Sequence, residues 1–329
     1  MENFKVLMTD TIHKDTIIEK DIIEKAGGTL HLAKSQNPED LARDIEDCDA
    51  VINVFAQMNK EVLDSAKKCK VIVRTGIGYN NIDVKLATEN GIMVANVPDY
   101  CFDEVADHTL ALALSLARKI SFLNQRVKAG SWNINEAGYI PRLSGKNFGL
   151  FGFGNISKYV ARRAQAFGMN VIAFDPYLLD SDFEAAGVTR MKTLNDLAAN
   201  SDILSLHAPA TTENEGSINY GLLQCMKSNS LIINTARGQL INEDDLFKAL
   251  NEKIIGGAGL DVLCIEPPKF PLDLLTLENV LITPHGGFYS EEAMPSLRKY
   301  SAEEIVRTLQ NGFPNNWVNK CAMEELSLN

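Results

Sequence analysis

The sequence predicts an α/β fold: two doubly wound, Rossmann-like domains with parallel sheets and a cleft between them. Three observations lead there. Short β-rich runs alternate with helical patterns through the N-terminal part of the chain. A second alternation runs from residue 148 to residue 283, and its first turn is rich in glycine. The chain has 329 residues, long for one domain and comfortable for two.

In order, strands are expected over 4–9, 29–33, 50–55, 70–74 and 92–95, with helices over 15–26, closed by Gly27-Gly28, and 61–67. A boundary follows at Asn96-Val97-Pro98-Asp99. It gives a first domain of 1–98 plus 293–329 and a second of 99–292. One long helix is expected over 102–129, ended by Gly130. It is unusually apolar, which fits either a homodimer interface or a helix buried between domains. A loop over 131–146 carries Trp132 and Arg142.

The next stretch, 147–175, organises the chain. An apolar run leads into Gly152-Phe153-Gly154-Asn155-Ile156-Ser157, a helical pattern follows, and a second β-rich run closes on Asp175. Strand, glycine turn, helix, strand and acid stand where a dinucleotide needs them. The turn presents backbone amides and a helix N-terminus to a pyrophosphate, and the acid accepts from an adenosine ribose. Ser157 replaces the usual third glycine, so a slightly wider helix–strand contact is expected. Asp175 favours NAD over NADP, because a carboxylate repels a 2′-phosphate and Asp175-Pro176-Tyr177 offers no arginine.

Beyond it, helices are expected over 194–199, 220–226 and 243–251, and strands over 202–207, 230–234, 257–261 and 280–283. A long helix over 290–311 crosses back to the first domain, and 312–329 reads as a loosely held tail. A formal net charge of −11 disfavours nucleic acid and anionic membranes as partners. No apolar run is long enough to span a bilayer, and no secretory pattern opens the chain. Cys48, Cys69, Cys101, Cys225, Cys264 and Cys321 lack metal-like spacing, which suits a reducing cytoplasm and no metal site.

Ligands of open α/β sheets sit beyond the carboxyl ends of the strands. There the sequence places Arg237, then Asp261 with Glu266, then His285, and also His207. Singly, each is more often structural than catalytic. Together they supply a cation for a carboxylate, an acid/base near neutral pH, and an acid to tune it.

Several motifs in order carry a resemblance over essentially the whole chain: RTGIGYNNID (74–83), the stretch 97–119, GFGNIS, SDILSLHAP, INTARGQLI (233–241), GLDV with EPP, and TPHGGFYSEEA (283–293). The chain resembles the D-isomer-specific 2-hydroxyacid dehydrogenases. Within them it is similar to the branch of phosphoglycerate dehydrogenase-like enzymes and C-terminal-binding-protein corepressors. The resemblance implies an NAD-dependent oxidoreductase acting on a small 2-oxo or 2-hydroxy acid. It implies that Arg237 binds the acid's carboxylate and carbonyl oxygen, that His285 is the proton donor, and that Glu266 fixes its tautomer. Substrate binding would fall to Arg74, the amides of Ile77 and Gly78, and Phe288. The cofactor would lie against Gly152, Gly154, Asn155, Ile156, Asp175, His207, Thr235, Ala236, Asp261 and Gly287, with Asp261 facing the nicotinamide amide. Phe288 stands where relatives often carry tryptophan, and Asn80 where many carry aspartate. Two other readings stay open: a dinucleotide-sensing interaction protein of the corepressor type, and a dehydrogenase of another small anion such as formate or phosphite.

Overall fold

Twelve strands form two parallel sheets in the computed structural model, which describes residues 3–327. Residues 1–2 of the first expected domain and 328–329 of the expected tail lie outside the described residues. The chain divides into two units, one of residues up to Cys101 and from Ser290 onward, the other Phe102–Tyr289.

The first unit holds β1 (Phe4–Met8), β2 (Gly28–Leu32), β3 (Ala50–Asn53), β4 (Val71–Arg74) and β5 (Met93–Asn96), in the order β2-β1-β3-β4-β5. Every pairing is parallel. β3 is wholly buried and β4 nearly so, which is why AVIN and VIVR read as near-continuous apolar runs instead of alternating ones. The helix Ala293–Asn311 belongs to this unit. Its Arg298 donates from Nε and Nη2 to the two carboxylate oxygens of Glu19, each at 2.7 Å, and also reaches Asp15. Glu19 is 1% exposed, so the fork of Arg298 compensates a carboxylate removed from water.

The expectation of a loose tail over 312–329 is corrected. Trp317 bridges Ala95 in antiparallel sense, and the buried Asn319 side chain accepts from Val94 N–H while donating to Thr88 and the Ile92 carbonyl. A helix, Lys320–Ser327, follows. The amide of Asn319 offers a donor and an acceptor to the open edge of β5, and the segment is held there.

The second unit holds β6 (Asn147–Phe151), β7 (Asn170–Phe174), β8 (Thr189–Arg190), β9 (Ile203–Leu206), β10 (Leu231–Asn234), β11 (Gly257–Leu260) and β12 (Val280–Ile282). Their order, β12-β11-β10-β9-β6-β7-β8, reverses at β6, and all neighbours are parallel. The crevice outside β6 and β9 is therefore the switch point where ligands bind in such sheets. Phe148 and Leu150 of β6 pack in one core cluster with Val160, Ala161 and Ala164 of the helix Asn155–Ala166 and with Leu112, Ala113 and Leu116.

The last three residues lie on the helix Phe102–Ala117, which is thus a core helix of its own unit. The single helix expected over 102–129 is corrected to two. Lys119 adopts φ 56° and breaks the run before the helix Ile120–Lys128, which buries none of its residues. No glycine or proline marks the break. No helix among the described residues is long and apolar enough to cross a membrane.

Replacing Arg298 by Met should strand the Glu19 carboxylate and cost about 3 kcal/mol. Urea unfolding followed through Trp317 fluorescence in a Trp132→Phe background measures it, and an unmoved midpoint would show that the pair contributes nothing.

Candidate functional site

The glycine turn follows β6. Gly152 has φ +87°, and a Cβ there would fall 2.8 Å from the Ala208 nitrogen and 2.9 Å from the His207 carbonyl carbon. Only a glycine lets the turn lie against the end of β9. Ser157, where a slightly wider helix–strand contact was expected, is buried, and its hydroxyl donates to the Gly152 carbonyl at 2.7 Å, tying the helix to the turn. The first amides of the helix Asn155–Ala166 have no intrahelical acceptor, and nothing lies within 4 Å of where a Cβ on Gly154 would stand. Open space, aimed amides at Asn155 and Ile156, and the positive end of a helix fit a dinucleotide's pyrophosphate.

Asp175 follows β7. Its carboxylate accepts from Phe153 N–H at 2.9 Å and Tyr177 N–H at 3.0 Å, tying the end of β7 to the glycine turn. The expectation that no arginine stands near Asp175 is corrected in space: Arg190, at the end of neighbouring β8, lies 3.5 Å from the Asp175 carbonyl oxygen.

Arg237, Glu266 and His285 sit past β10, β11 and β12. His285 Nδ1 and Glu266 Oε2 are 2.6 Å apart, and Glu266 Oε1 accepts the Leu263 amide at 2.8 Å. A carboxylate only accepts, so Nδ1 carries the hydrogen and Nε2 is the ring atom left for other work. Burial pushes the Glu266 carboxyl up, but the His285 and Leu263 hydrogen bonds and the nearby charges of His285 and Arg237 hold it below its ordinary value. Phe288 stands edge-on to the His285 ring, centroids 6.1 Å apart. Arg237 is held by its backbone: Asn234 donates to the Arg237 carbonyl and accepts the Ala236 amide, while Thr235 meets Thr109 at 2.8 Å. A Cβ on the next residue, Gly238, would fall 2.0 Å from the Leu263 carbonyl carbon. That contact lays the arginine turn directly on the backbone leading to Glu266.

Asp261 is 3% exposed, and its carboxylate meets several donors: Thr283 hydroxyl at 2.5 Å, Gly286 N–H at 2.9 Å and Gly287 N–H at 2.8 Å, with His108 Nε2 at 3.3 Å. Burial raises its carboxyl, and these partners outweigh that and hold it below its ordinary value. Its backbone carbonyl takes the His285 amide at 2.8 Å. Asp261, expected to face the nicotinamide amide, holds the 283–287 turn in which His285 adopts φ 53°. The sequence reading missed His108, Thr109 and Asn234. Their signal was polarity out of place: a His-Thr pair in an apolar helix and an Asn closing a buried strand.

His207, at the end of β9, meets Ser205 Oγ at 2.8 Å, and burial pushes its pKa down to about 3. In the first unit, Arg74 ends β4, and Ile77 and Gly78 are partly exposed in the following loop. Asn96 donates to the Ile77 carbonyl at 2.7 Å, and Asn81 ties the neighbouring loop through Asn53, Val54 and Ala56. Among the described residues no group of three or more His, Cys, Asp or Glu is placed to hold a metal ion.

Comparison with known proteins adds the following. Residues 110–287 match the family described as D-isomer specific 2-hydroxyacid dehydrogenase, NAD binding domain. A D-3-phosphoglycerate dehydrogenase of Methanocaldococcus jannaschii is 40% identical over 316 residues, 96% of this chain and 59% of that protein. The chain thus spans about three-fifths of that relative's length. A glyoxylate reductase of Thermococcus litoralis is 36% identical over 287 residues, 85% of this chain and 86% of that one. Among solved structures, an acyclic imino acid reductase in complex with NADPH and D-Arg superposes with a TM-score of 0.85 at 28% identity, covering 95% of this chain and 99% of that one.

The half-buried His207 sets a pH dependence. Between its ordinary 6.5 and about 3 the unfolded chain takes up a proton that the folded chain refuses, so this residue makes stability fall as pH drops through that window. His207→Asn should therefore lose less stability than the parent between pH 7 and pH 5, read as urea midpoints. Equal losses would mean that His207 is not held neutral.

Proposed function

The chain belongs to the D-isomer specific 2-hydroxyacid dehydrogenase family, and from that premise we propose that it is an NAD-dependent enzyme interconverting a small 2-oxo acid and its D-2-hydroxy acid. The observation that carries this reading is the 2.6 Å contact between Glu266 and His285, with Arg237 close enough for its charge to act on Glu266. All three stand at the strand ends of a sheet whose switch point carries the dinucleotide turn.

A nicotinamide held in the second unit would supply the hydride or take it back. Arg237 offers a planar donor fork to the acid's carboxylate and carbonyl oxygen. His285, its Nδ1–H given to Glu266, delivers the proton on Nε2 to the carbonyl oxygen, which becomes the hydroxyl; in reverse it removes that proton. Glu266, ionised at neutral pH, stabilises the imidazolium form that holds the proton. Phe288 lies beside the imidazole as an apolar wall without a donor. Gly152, Gly154, Asn155, Ile156 and Asp175 hold the adenosine and pyrophosphate, and His207, Thr235, Ala236 and Gly287 line the cofactor. In the first unit, Arg74 and the amides of Ile77 and Gly78 offer a cation and donors for a small carboxylate. The strand-end loops there, 53–58 and 74–80, hold one cation, Arg74, and expose Phe55 and Tyr79. This favours an unphosphorylated acid. Cys48, Cys69 and Cys101 are buried thiols, which suits the reducing cytoplasm.

The assembly is a homodimer. Its support is the exposed apolar belt of Ile120, Val127, Trp132, Ile134 and Tyr139, far more than a solvated surface needs in one stretch.

Loss of NADH absorbance against a panel of 2-oxo acids tests the reaction. Turnover of glyoxylate, pyruvate or a related unphosphorylated acid is expected, and His285→Ala should lower kcat about 10²–10⁴-fold while sparing NADH binding. A silent panel with tight NADH binding would favour a sensing role. Sedimentation at micromolar concentration should give a dimer, and a monomer would refute the belt as an interface.

A further inference from the structure

We propose that Asp180 determines which dinucleotide the second unit accepts, by neutralising Arg190 beside Asp175. The inference rests on the dinucleotide reading of the glycine turn and goes beyond it. Asp175 alone is an incomplete selector in this chain, because both of its carboxylate oxygens already serve the fold, one on Phe153 N–H and one on Tyr177 N–H.

Arg190 is the last residue of β8, and it pairs in register with Ala173, two residues before Asp175. Three contacts place its guanidinium. The ring of Phe183, fully buried, lies 5.3 Å below its central carbon. Nη2 stands 3.5 Å from the Asp175 carbonyl oxygen, and Nη1 donates to Asp180 Oδ1 at 2.7 Å. The ring and the carbonyl are fixed parts of the unit. Asp180 is not: its side chain is 77% exposed, and an exposed ion pair is a weak tie. Without the carboxylate of Asp180, an oriented arginine beside the residue assigned to the ribose would be available for a phosphate. A phosphate recruits such a fork strongly, and an arginine near this position is how dinucleotide domains take NADP. The chain therefore rejects a 2′-phosphate with two carboxylates: Asp175 at the ribose, and Asp180 on the cation that would otherwise invert the preference. The imino acid reductase of similar fold is in complex with NADPH, so the architecture is compatible with the phosphorylated cofactor.

Isothermal titration of the full chain with NAD⁺ and with NADP⁺, without substrate, tests the proposal. Asp180→Asn, which keeps shape and removes charge, should shift the ratio of the two affinities about tenfold toward NADP⁺. Arg190→Gln in the same background should abolish that shift. An unchanged ratio in Asp180→Asn would overturn the proposal, and so would a shift that survives the loss of Arg190, since mere relief of negative charge would then explain it. A parent chain that binds neither nucleotide would overturn the dinucleotide reading itself, a result distinct from either. Thermal melting of each variant separates a changed preference from a lost fold.

Discussion

A carboxylate taken out of water must be surrounded by donors or it does not stay charged, and Asp261 obeys that constraint at the carboxyl end of β11 in the second unit. One hydroxyl and two consecutive backbone amides close on it, with His108 beside them, and its own carbonyl takes the amide of His285. The turn after β12 is thereby wrapped around a single point. His285 sits in that turn with a left-handed backbone, a conformation that costs energy and persists only when its surroundings over-determine it. The orientation of the imidazole toward Glu266 is thus inherited from a residue that has no need to touch the reacting atoms.

A second constraint joins the other half of the site. Gly238 brings the arginine turn against Leu263, and Leu263 in turn donates its amide to Glu266. Arg237, Glu266 and His285 are separated by many residues of chain, yet they are referenced to one another through the backbone at Gly238 and Leu263 and through the Glu266–His285 side-chain pair. Such placement suits a reaction in which a proton and a hydride must arrive at adjacent atoms.

Much of this was legible in the sequence. The parallel sheets announce themselves as β-branched runs without alternation, as in β3 and β10, because both faces are buried. Arg237 and His285 were legible because each closely follows such a run. The glycine turn was legible because strand, helix and acid flank it in order. What escaped was set by contacts distant in the chain. Lys119 takes a left-handed conformation with no glycine to signal it, so two helices read as one. β8 is two residues long, too short to show a pattern, and with it the nearness of Arg190 to Asp175 stayed hidden. Asn319 grips β5 across 225 residues of sequence, so a pinned segment read as a tail. Ser157 appeared as a departure from a pattern, and its hydroxyl turned out to complete the turn.

The ion pair of Arg298 with Glu19 also has a consequence in time. Its two residues lie 279 positions apart, and the whole second unit is threaded between them. During synthesis the five strands of the first unit emerge early, but Glu19 has no cation until the helix Ala293–Asn311 has left the ribosome. The inserted unit, contiguous from Phe102 to Tyr289, has all of its strands available before then. Translation thus completes the strand set of the inserted unit before the first unit receives the cation for Glu19.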